Sequence, residues 1–241
     1  AELELPLTDH VIRNPGGGPC TNEDTVTLTH ALTVSCNTPF AELAMEFGAD
    51  ELREQAEAFG FGEELSIPLD VTPSRFPDEM DEAQLAMSAI GQYDVRVSPL
   101  QMAMVAAAIA NDGVLMTPHL IDTERGPNLQ VTSTTEPTEL AEPISASTAS
   151  QLREMMTNVV NEGTGTAAQI PGVTVAGKTG TAESGTDLPQ HAWFTSFAPA
   201  EDPEVVVAVV LEHGGEHGEL AYGGTAAAPI ARTVMEAVIG E

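Results

Sequence analysis

The chain has 241 residues, 42% of them apolar, which is enough to build the core of one large domain. Its 37 acidic and 8 basic residues give a formal net charge of −29, so its surface should repel nucleic acid and anionic lipid headgroups. No apolar run reaches about 18 residues and no charged start precedes an apolar stretch, so the sequence predicts neither a transmembrane helix nor a signal peptide within it.

The chain contains few cysteines and only one lysine. Cys20 and Cys36 have no C-x-x-C spacing, which argues against a tetrahedral zinc site; the pair is compatible with two buried thiols or with one disulfide in an oxidising compartment. Seven of the eight basic residues are arginines, which leaves Lys178 as the only lysine. Its retention indicates a need for a compact ammonium at that position.

The first third of the sequence predicts two short helices after an N-terminal loop. Thr38 can cap and Pro39 can occupy the first position of a helix that Gly48 ends. A second helix should then run as far as Gly60. Residues 61–80 contain three prolines and predict an irregular connection.

The middle of the sequence predicts a buried helix and a surface segment. Ser98 can cap and Pro99 can start a helix that is apolar nearly all round, so it must be buried; Gly113 stops it. Residues 121–143 are polar and rich in threonine and proline, which predicts an excursion over the surface.

An amphipathic helix should begin at a capping box formed by Thr148 and Gln151 and end at Gly163. Its apolar residues recur at i, i+3, i+4, i+7 and i+8, on one face of a helix. They are Leu152, Met155, Met156, Val159 and Val160.

Three strands and a final helix follow. "VTVAGKTGTA", "HAWFTSFAP" and "EVVVAVVLE" have strand composition, and their short connections predict an antiparallel meander. The last helix should begin near Pro229. We expect one α+β domain over residues 1–241, with a helical part at about 25–163 and the meander and terminal helix at about 171–240.

The stretch "GVTVAGKTGT", residues 172–181, matches two motifs. It satisfies the G-x-x-x-x-G-K-[ST] pattern of a phosphate-binding loop, and Lys-Thr-Gly is also the third motif of serine acyltransferases that bind penicillin. A phosphate loop requires a buried strand before Gly172 and a helix starting at Lys178. The flanking "EGTGTAAQIP" and "GTAESGTD" supply neither, so the sequence favours the second motif.

A Ser-x-Asn motif, Ser35 and Asn37, accompanies Lys-Thr-Gly. Along a strand, Lys178 and Gly180 should project to one face, and Thr179 and Thr181 to the other. Gly180 would allow a substrate backbone to approach closely.

The segments "SAIGQYDVRVSPLQMAMVAAAIANDGVLMTPHL", "NEGTGTAAQIPGVTVAGKTGTAE" and "HAWFTSFAP" resemble the transpeptidase domain of class B penicillin-binding proteins, and the similarity covers nearly the whole chain. The resemblance implies the penicillin-binding protein and serine β-lactamase fold. It implies a D,D-transpeptidase, without a cofactor, that cross-links peptidoglycan stem peptides ending in D-Ala-D-Ala and is acylated by β-lactams. It also implies that the protein works with the cell-wall synthesis machinery at the extracytoplasmic face of the membrane. The protein would be anchored there through a segment not present in this chain.

The resemblance also implies a role for each motif residue. Ser35 and Lys178 would pass a proton to the leaving D-alanine, and Asn37 would hydrogen-bond the substrate amide. Thr179 and Thr181 would hold the terminal carboxylate, and the Thr181 N–H would form half of the oxyanion hole. A disulfide between Cys20 and Cys36 would hold the Ser35 turn, because the family works outside the cytoplasm.

The family's nucleophile, the serine of a Ser-x-x-Lys motif, has no counterpart here. The residue three before Lys178 is Val175. We therefore expect this chain to be the C-terminal part of a longer transpeptidase domain, active as the parent protein and inactive in isolation. Two alternatives remain: a non-catalytic penicillin-binding sensor or scaffold, and a class A-like serine β-lactamase.

The H-x-x-E-H pattern of zinc enzymes occurs once, from His213 to His217. It binds zinc only on a helix, where both histidines share a face, and the three glycines in and beside it oppose a helix. The sequence predicts a solvated loop and no metal site.

Overall fold

The computed structural model describes residues 2–65, 67–183 and 188–240, without the side chains of residues 217, 219 and 220. Helices dominate the first two thirds of the chain, and the longest strands lie in the last third. The helices are α1 (Leu28–Thr33), α2 (Asn37–Phe47), α3 (Ala49–Ala58), α4 (Glu82–Ser88), α5 (Pro99–Ala110), α6 (Ala146–Asn161) and α7 (Ala228–Ile239). The strands are β1 (Glu2–Glu4), β2 (Val11–Arg13), β3 (Leu115–Met116), β4 (Thr123–Arg125), β5 (Val131–Thr134), β6 (Glu139–Ala141), β7 (Ala176–Ala182), β8 (His191–Ala198) and β9 (Val205–Leu211).

The strands β7, β8 and β9 form an antiparallel sheet in that order. Side chains alternate between its two faces, so successive residues of β8 contact different helices. Phe194 packs with Met235 of α7 in one cluster, whereas Phe197 packs with Ile109 of α5 in another. The sheet therefore lies between α5 and α7, which confirms the predicted α+β arrangement and the predicted meander.

The predicted caps were right for α5 and wrong for α2 and α6. Ser98 Oγ accepts the Gln101 N–H, and Pro99 follows it as predicted. The cap of α6 is instead Ser145, three residues before the predicted cap Thr148, because Ser145 has extended backbone angles and its Oγ accepts the Thr148 N–H. Helix α2 begins at Asn37, one residue before the predicted cap Thr38.

Several elements outside the predicted set complete the fold. Helix α4 begins at a capping box in which Asp81 and Gln84 each accept a backbone N–H from the other. That D-x-x-Q pattern in the sequence could have predicted the helix. The surface segment 121–143 contains the β4–β5 hairpin and β6, which pairs with β3.

No helix in the described ranges is long and apolar enough to cross a membrane.

Candidate active site

Ser35 lies in a tight turn that ends α1. Cys36 N donates to Ala31 O at 2.8 Å and Ser35 N donates to Leu32 O at 3.2 Å, which is the hydrogen-bond pattern of a Schellman motif. Ser35 occupies the left-handed position of that motif, with φ of 58°, where glycine is the usual residue. Ser35 is therefore held in an energetically costly backbone conformation, and its hydroxyl lies in the turn between α1 and α2.

The start of α2 is fixed by a residue that lies far away in the sequence. The buried Asn14 accepts the N–H groups of Asn37 and Thr38 at its Oδ1, at 3.0 and 2.9 Å. These are two of the donors that a helix N-terminus leaves without an intrahelical partner. Asn37 in turn donates from Nδ2 to Arg13 O at 2.8 Å. The Ser-x-Asn turn is thus tied to the segment that follows β2.

The same turn is joined covalently to the N-terminal segment. Cys20 and Cys36 form a disulfide across a sequence separation of 16 residues. His30 on α1 hydrogen-bonds the Cys20 carbonyl oxygen through Nε2 at 3.0 Å. Ser35 therefore has a cross-linked residue directly after it, which limits the motion of its hydroxyl.

Lys178 on β7 reaches across to this turn. Its Nζ donates to Ser35 Oγ at 2.8 Å and to Thr179 O at 2.8 Å. Burial withdraws water from the ammonium and lowers the pKa of Lys178 from its ordinary value to about 8. The structure therefore joins the two motifs that the sequence placed 143 residues apart, and it gives the amine a pKa close to neutral pH.

Thr179 faces the other side of β7. Its Oγ1 lies 2.6 Å from Thr164 Oγ1 in the loop after α6, and the Thr164 N–H donates to Thr33 O at the end of α1 at 3.2 Å. This chain of contacts fixes the distance between α1 and β7. It therefore supports the Ser35 to Lys178 hydrogen bond from the opposite face of the strand.

Gly180 lies in a closely packed part of β7. It pairs with Trp193, and a Cβ on Gly180 would come within 3.1 Å of the Trp193 Cβ. Gly223, in the π-helical turn Gly223–Ala227, packs directly against the same strands; a Cβ there would overlap the Trp193 carbonyl oxygen. Glycine is thus required at position 223, and a side chain at position 180 would press on Trp193.

A cavity of about 520 Å³ lies beside β7. Lys178 to Glu183 form one wall, and largely apolar side chains from the α4–α5 connection and from α5 form the opposite wall. Trp193 contributes to the wall from β8. The predicted site residues Lys178, Thr179, Gly180 and Thr181 therefore line a pocket of the size that holds a small ligand.

The H-x-x-E-H segment is irregular rather than a regular helix. His213, Gly214, Gly215 and Gly218 all have positive φ, so the segment cannot present its histidines along one helical face. The His213 N–H donates to His191 Nδ1 at 3.1 Å. The side chain of His217 lies outside the described part of the chain. No cluster of three metal-ligating side chains occurs among the described residues.

An α+β fold in which a Ser-x-Asn turn is hydrogen-bonded to a Lys-Thr-Gly strand is characteristic of the penicillin-interacting serine acyltransferases. The family model for the penicillin binding protein transpeptidase domain matches residues 11–236. The chain belongs to this family.

The relatives agree with this assignment. The chain is 44% identical to the peptidoglycan D,D-transpeptidase PbpA of Mycolicibacterium smegmatis and 43% identical to PbpA of Mycobacterium tuberculosis, over 98% of this chain and 49% of each relative. It superposes on penicillin-binding protein A from M. tuberculosis, solved as a ceftriaxone acyl-enzyme complex, with a TM-score of 0.93 and 43% identity, over 99% of this chain and 54% of that one. The chain spans about half the length of the curated relatives it matches.

Two residues that support the site carry no motif in the sequence. Asn14 lies in a loop, and only the structure shows that its amide caps a helix 23 residues away. Thr164 lies in the loop after α6, and its contact with Thr179 depends on the fold.

Proposed function

We propose that the parent protein of this chain is a peptidoglycan D,D-transpeptidase that acts through a serine acyl-enzyme and is acylated by β-lactams. The substrates would be stem peptides ending in D-Ala-D-Ala. The hydrogen bond between Lys178 Nζ and Ser35 Oγ carries the proposal, because it joins the two motifs into one proton path. The D,D-transpeptidase names of the relatives and the β-lactam complex of the structural neighbour support it.

Each residue has a defined part in the proposed acylation. A serine outside this chain attacks the carbonyl carbon of the penultimate D-alanine, its hydroxyl proton passes to the lysine of its own Ser-x-x-Lys motif, and an ester forms as the peptide C–N bond breaks; that proton later replaces the one that Lys178 gives up. The leaving amine takes a proton from the Ser35 hydroxyl, which is replenished by Lys178, whose pKa of about 8 suits transfer near neutral pH. The charge of Lys178 also attracts the terminal carboxylate, which the Thr179 and Thr181 hydroxyls would bind.

Thr181 would supply half of the oxyanion hole. Its carbonyl and the Glu183 N–H both hydrogen-bond a side chain beyond the outer edge of β7. In a strand the N–H and C=O of one residue point to the same edge, so the Thr181 N–H is directed towards the outer edge as well. That edge borders the cavity, where the developing negative charge would form.

The nucleophile would come from the upstream part of the same transpeptidase domain. Two surfaces support this part of the proposal. Within the described ranges β9 pairs only with β8, so its second edge is open. Helix α7 exposes a stripe of aliphatic side chains at i, i+4 and i+8, and isolated stripes of this kind are normally covered. The stripe consists of Ile230, Val234 and Val238, each between 42% and 45% exposed.

The proposal extends to location and partners. The parent would work at the extracytoplasmic face of the cell membrane, anchored through a segment outside this chain, together with the cell-wall synthesis machinery. The disulfide between Cys20 and Cys36 supports an oxidising compartment, because cytosolic thiols are kept reduced. The isolated chain would not form an acyl-enzyme, because it has no Ser-x-x-Lys serine.

Labelling with a fluorescent penicillin tests the proposal. We expect the parent protein to be labelled, the isolated chain to remain unlabelled, and Lys178→Ala in the parent to be labelled about 100-fold more slowly or worse. Arg125→Ala, which removes an exposed cation on the β4–β5 hairpin, should be labelled like the wild type.

Three results would count against the proposal. Labelling of the isolated chain would refute the prediction that this chain is inactive alone. A folded parent that is never labelled would refute the transpeptidase assignment. Rapid loss of the label would point instead to a β-lactamase.

A further inference from the structure

Gln92 bridges the outer edge of β7 from the loop between α4 and α5. Its Nε2 donates to Thr181 O at 3.2 Å, and its Oε1 accepts the Glu183 N–H at 3.3 Å. A neighbouring strand would bond the same two backbone groups of alternate residues. The carboxamide of Gln92 thus replaces one step of a β-ladder, at the end of β7 that follows Lys-Thr-Gly-Thr.

The main chain of Gln92 is itself firmly held. Its N–H donates to Met87 O at 3.0 Å, and its carbonyl accepts the Val95 N–H at 3.4 Å. The residues on both sides have positive φ, 74° at Gly91 and 59° at Tyr93. A left-handed tyrosine costs energy and persists only where its surroundings fix the backbone. The turn therefore presents the Gln92 side chain in one direction.

Charged contacts anchor the same loop on its far side. Arg75 and Arg96 exchange two backbone hydrogen bonds, at 2.7 and 2.9 Å. Asp94 forms an ion pair with Arg75, and the Arg96 Nε lies 3.4 Å from Asp94 Oδ1. Two bonds to β7 thus start from a loop that is braced independently of β7.

We infer that Gln92 is a positioning residue that holds the outer edge of β7 and thereby fixes the Thr181 N–H in the cleft. The half-buried side chain lines the same cavity and acts through its hydrogen bonds to Thr181 and Glu183. The consequence for acylation rests on the proposed function. The predicted effect on hydrogen exchange in β7 does not depend on the proposed function.

The test uses Gln92→Met in the parent protein, because methionine keeps the length of the side chain and removes both hydrogen bonds. Gln130→Met, on the exposed β4–β5 hairpin, is the matched control. Hydrogen-exchange mass spectrometry follows peptides that span residues 179–183. Acylation by a fluorescent penicillin is measured over a range of concentrations, and the melting temperature is recorded for each protein.

We expect Gln92→Met to speed exchange in these peptides about tenfold, since two hydrogen bonds are lost. We expect its acylation to slow by about threefold to tenfold, mainly in the rate at saturating penicillin, with a melting temperature close to that of the wild type. Gln130→Met should change neither quantity. Gln92→Glu keeps an acceptor for the Glu183 N–H and loses the donor to Thr181 O, so its exchange should lie between the wild type and Gln92→Met.

Unchanged exchange in Gln92→Met would overturn the inference. Faster exchange with unchanged acylation would overturn its functional half. If the wild-type parent is not labelled by penicillin, the proposed function fails, and the exchange rates alone decide whether Gln92 holds β7.

Discussion

Replacing Ser35 by glycine and by alanine separates the cost of its backbone conformation from the benefit of its hydroxyl. Both variants lose the hydrogen bond from Lys178 Nζ, which should cost about 1.5 kcal/mol or more because the donor is charged. Only glycine relieves the left-handed φ of 58°, which costs a residue with a Cβ about 1 to 2 kcal/mol. Ser35→Gly should therefore be more stable than Ser35→Ala by about 1 kcal/mol.

The assay is reversible denaturation of the parent protein in urea, with the free energy of unfolding compared between the two variants. Both variants should be labelled slowly by penicillin, because both lack the hydroxyl. A Ser35→Gly protein that is no more stable than Ser35→Ala would refute the argument that the site stores backbone strain.

Four further predictions concern the residues around this turn. In the parent protein labelled with ¹³C-lysine, the resonance that disappears in Lys178→Met should titrate near pH 8; a midpoint near the ordinary value of 10.5 would contradict the desolvated site. The pKa of Lys178 is lower in the folded protein than in the unfolded protein. The free energy of unfolding should therefore be reduced by the full cost of the buried charge below pH 8, and this cost should disappear as the pH rises towards 10.5. Lys178→Met should not show this trend. Gly163→Ala should destabilise the protein by about 2 kcal/mol or more, because its Cβ would overlap Thr33 O, whereas Gly18→Ala should be nearly neutral in calorimetry; equal effects would count against close packing there. Reducing the disulfide should lower the free energy of unfolding by about 3 kcal/mol in urea titrations, and no change would argue against its closure of the loop.

Local patterns predicted the elements whose formation depends on neighbouring residues. Ser98 and Pro99 start α5 because a cap and a fixed φ act within one helical turn. The three strands of the meander were predicted for a similar reason, since β-branched runs with short connections have few other arrangements. The pairing of the Ser-x-Asn and Lys-Thr-Gly motifs came from family resemblance, and no spacing rule would have joined Ser35 to Lys178.

The contacts that refine the site could not be predicted, because they join distant parts of the chain. The cap of α2 comes from Asn14, so the local candidate Thr38 was wrong. Thr164 meets Thr179 only because α6 returns to the end of α1. Gln92 has no motif of its own, and its two bonds to β7 span about 90 residues, 89 and 91 in sequence separation.

The central claim is that this chain supplies the Ser35 and Lys178 proton path while the nucleophile lies elsewhere in the same protein. The most direct test is mass spectrometry of the parent protein after reaction with benzylpenicillin, with the acylated serine located by peptide mapping. We expect one adduct, on the serine of a Ser-x-x-Lys motif outside residues 1–241, and we expect it to form more slowly in Lys178→Ala. An adduct on Ser35, or on any other serine of this chain, would contradict the account.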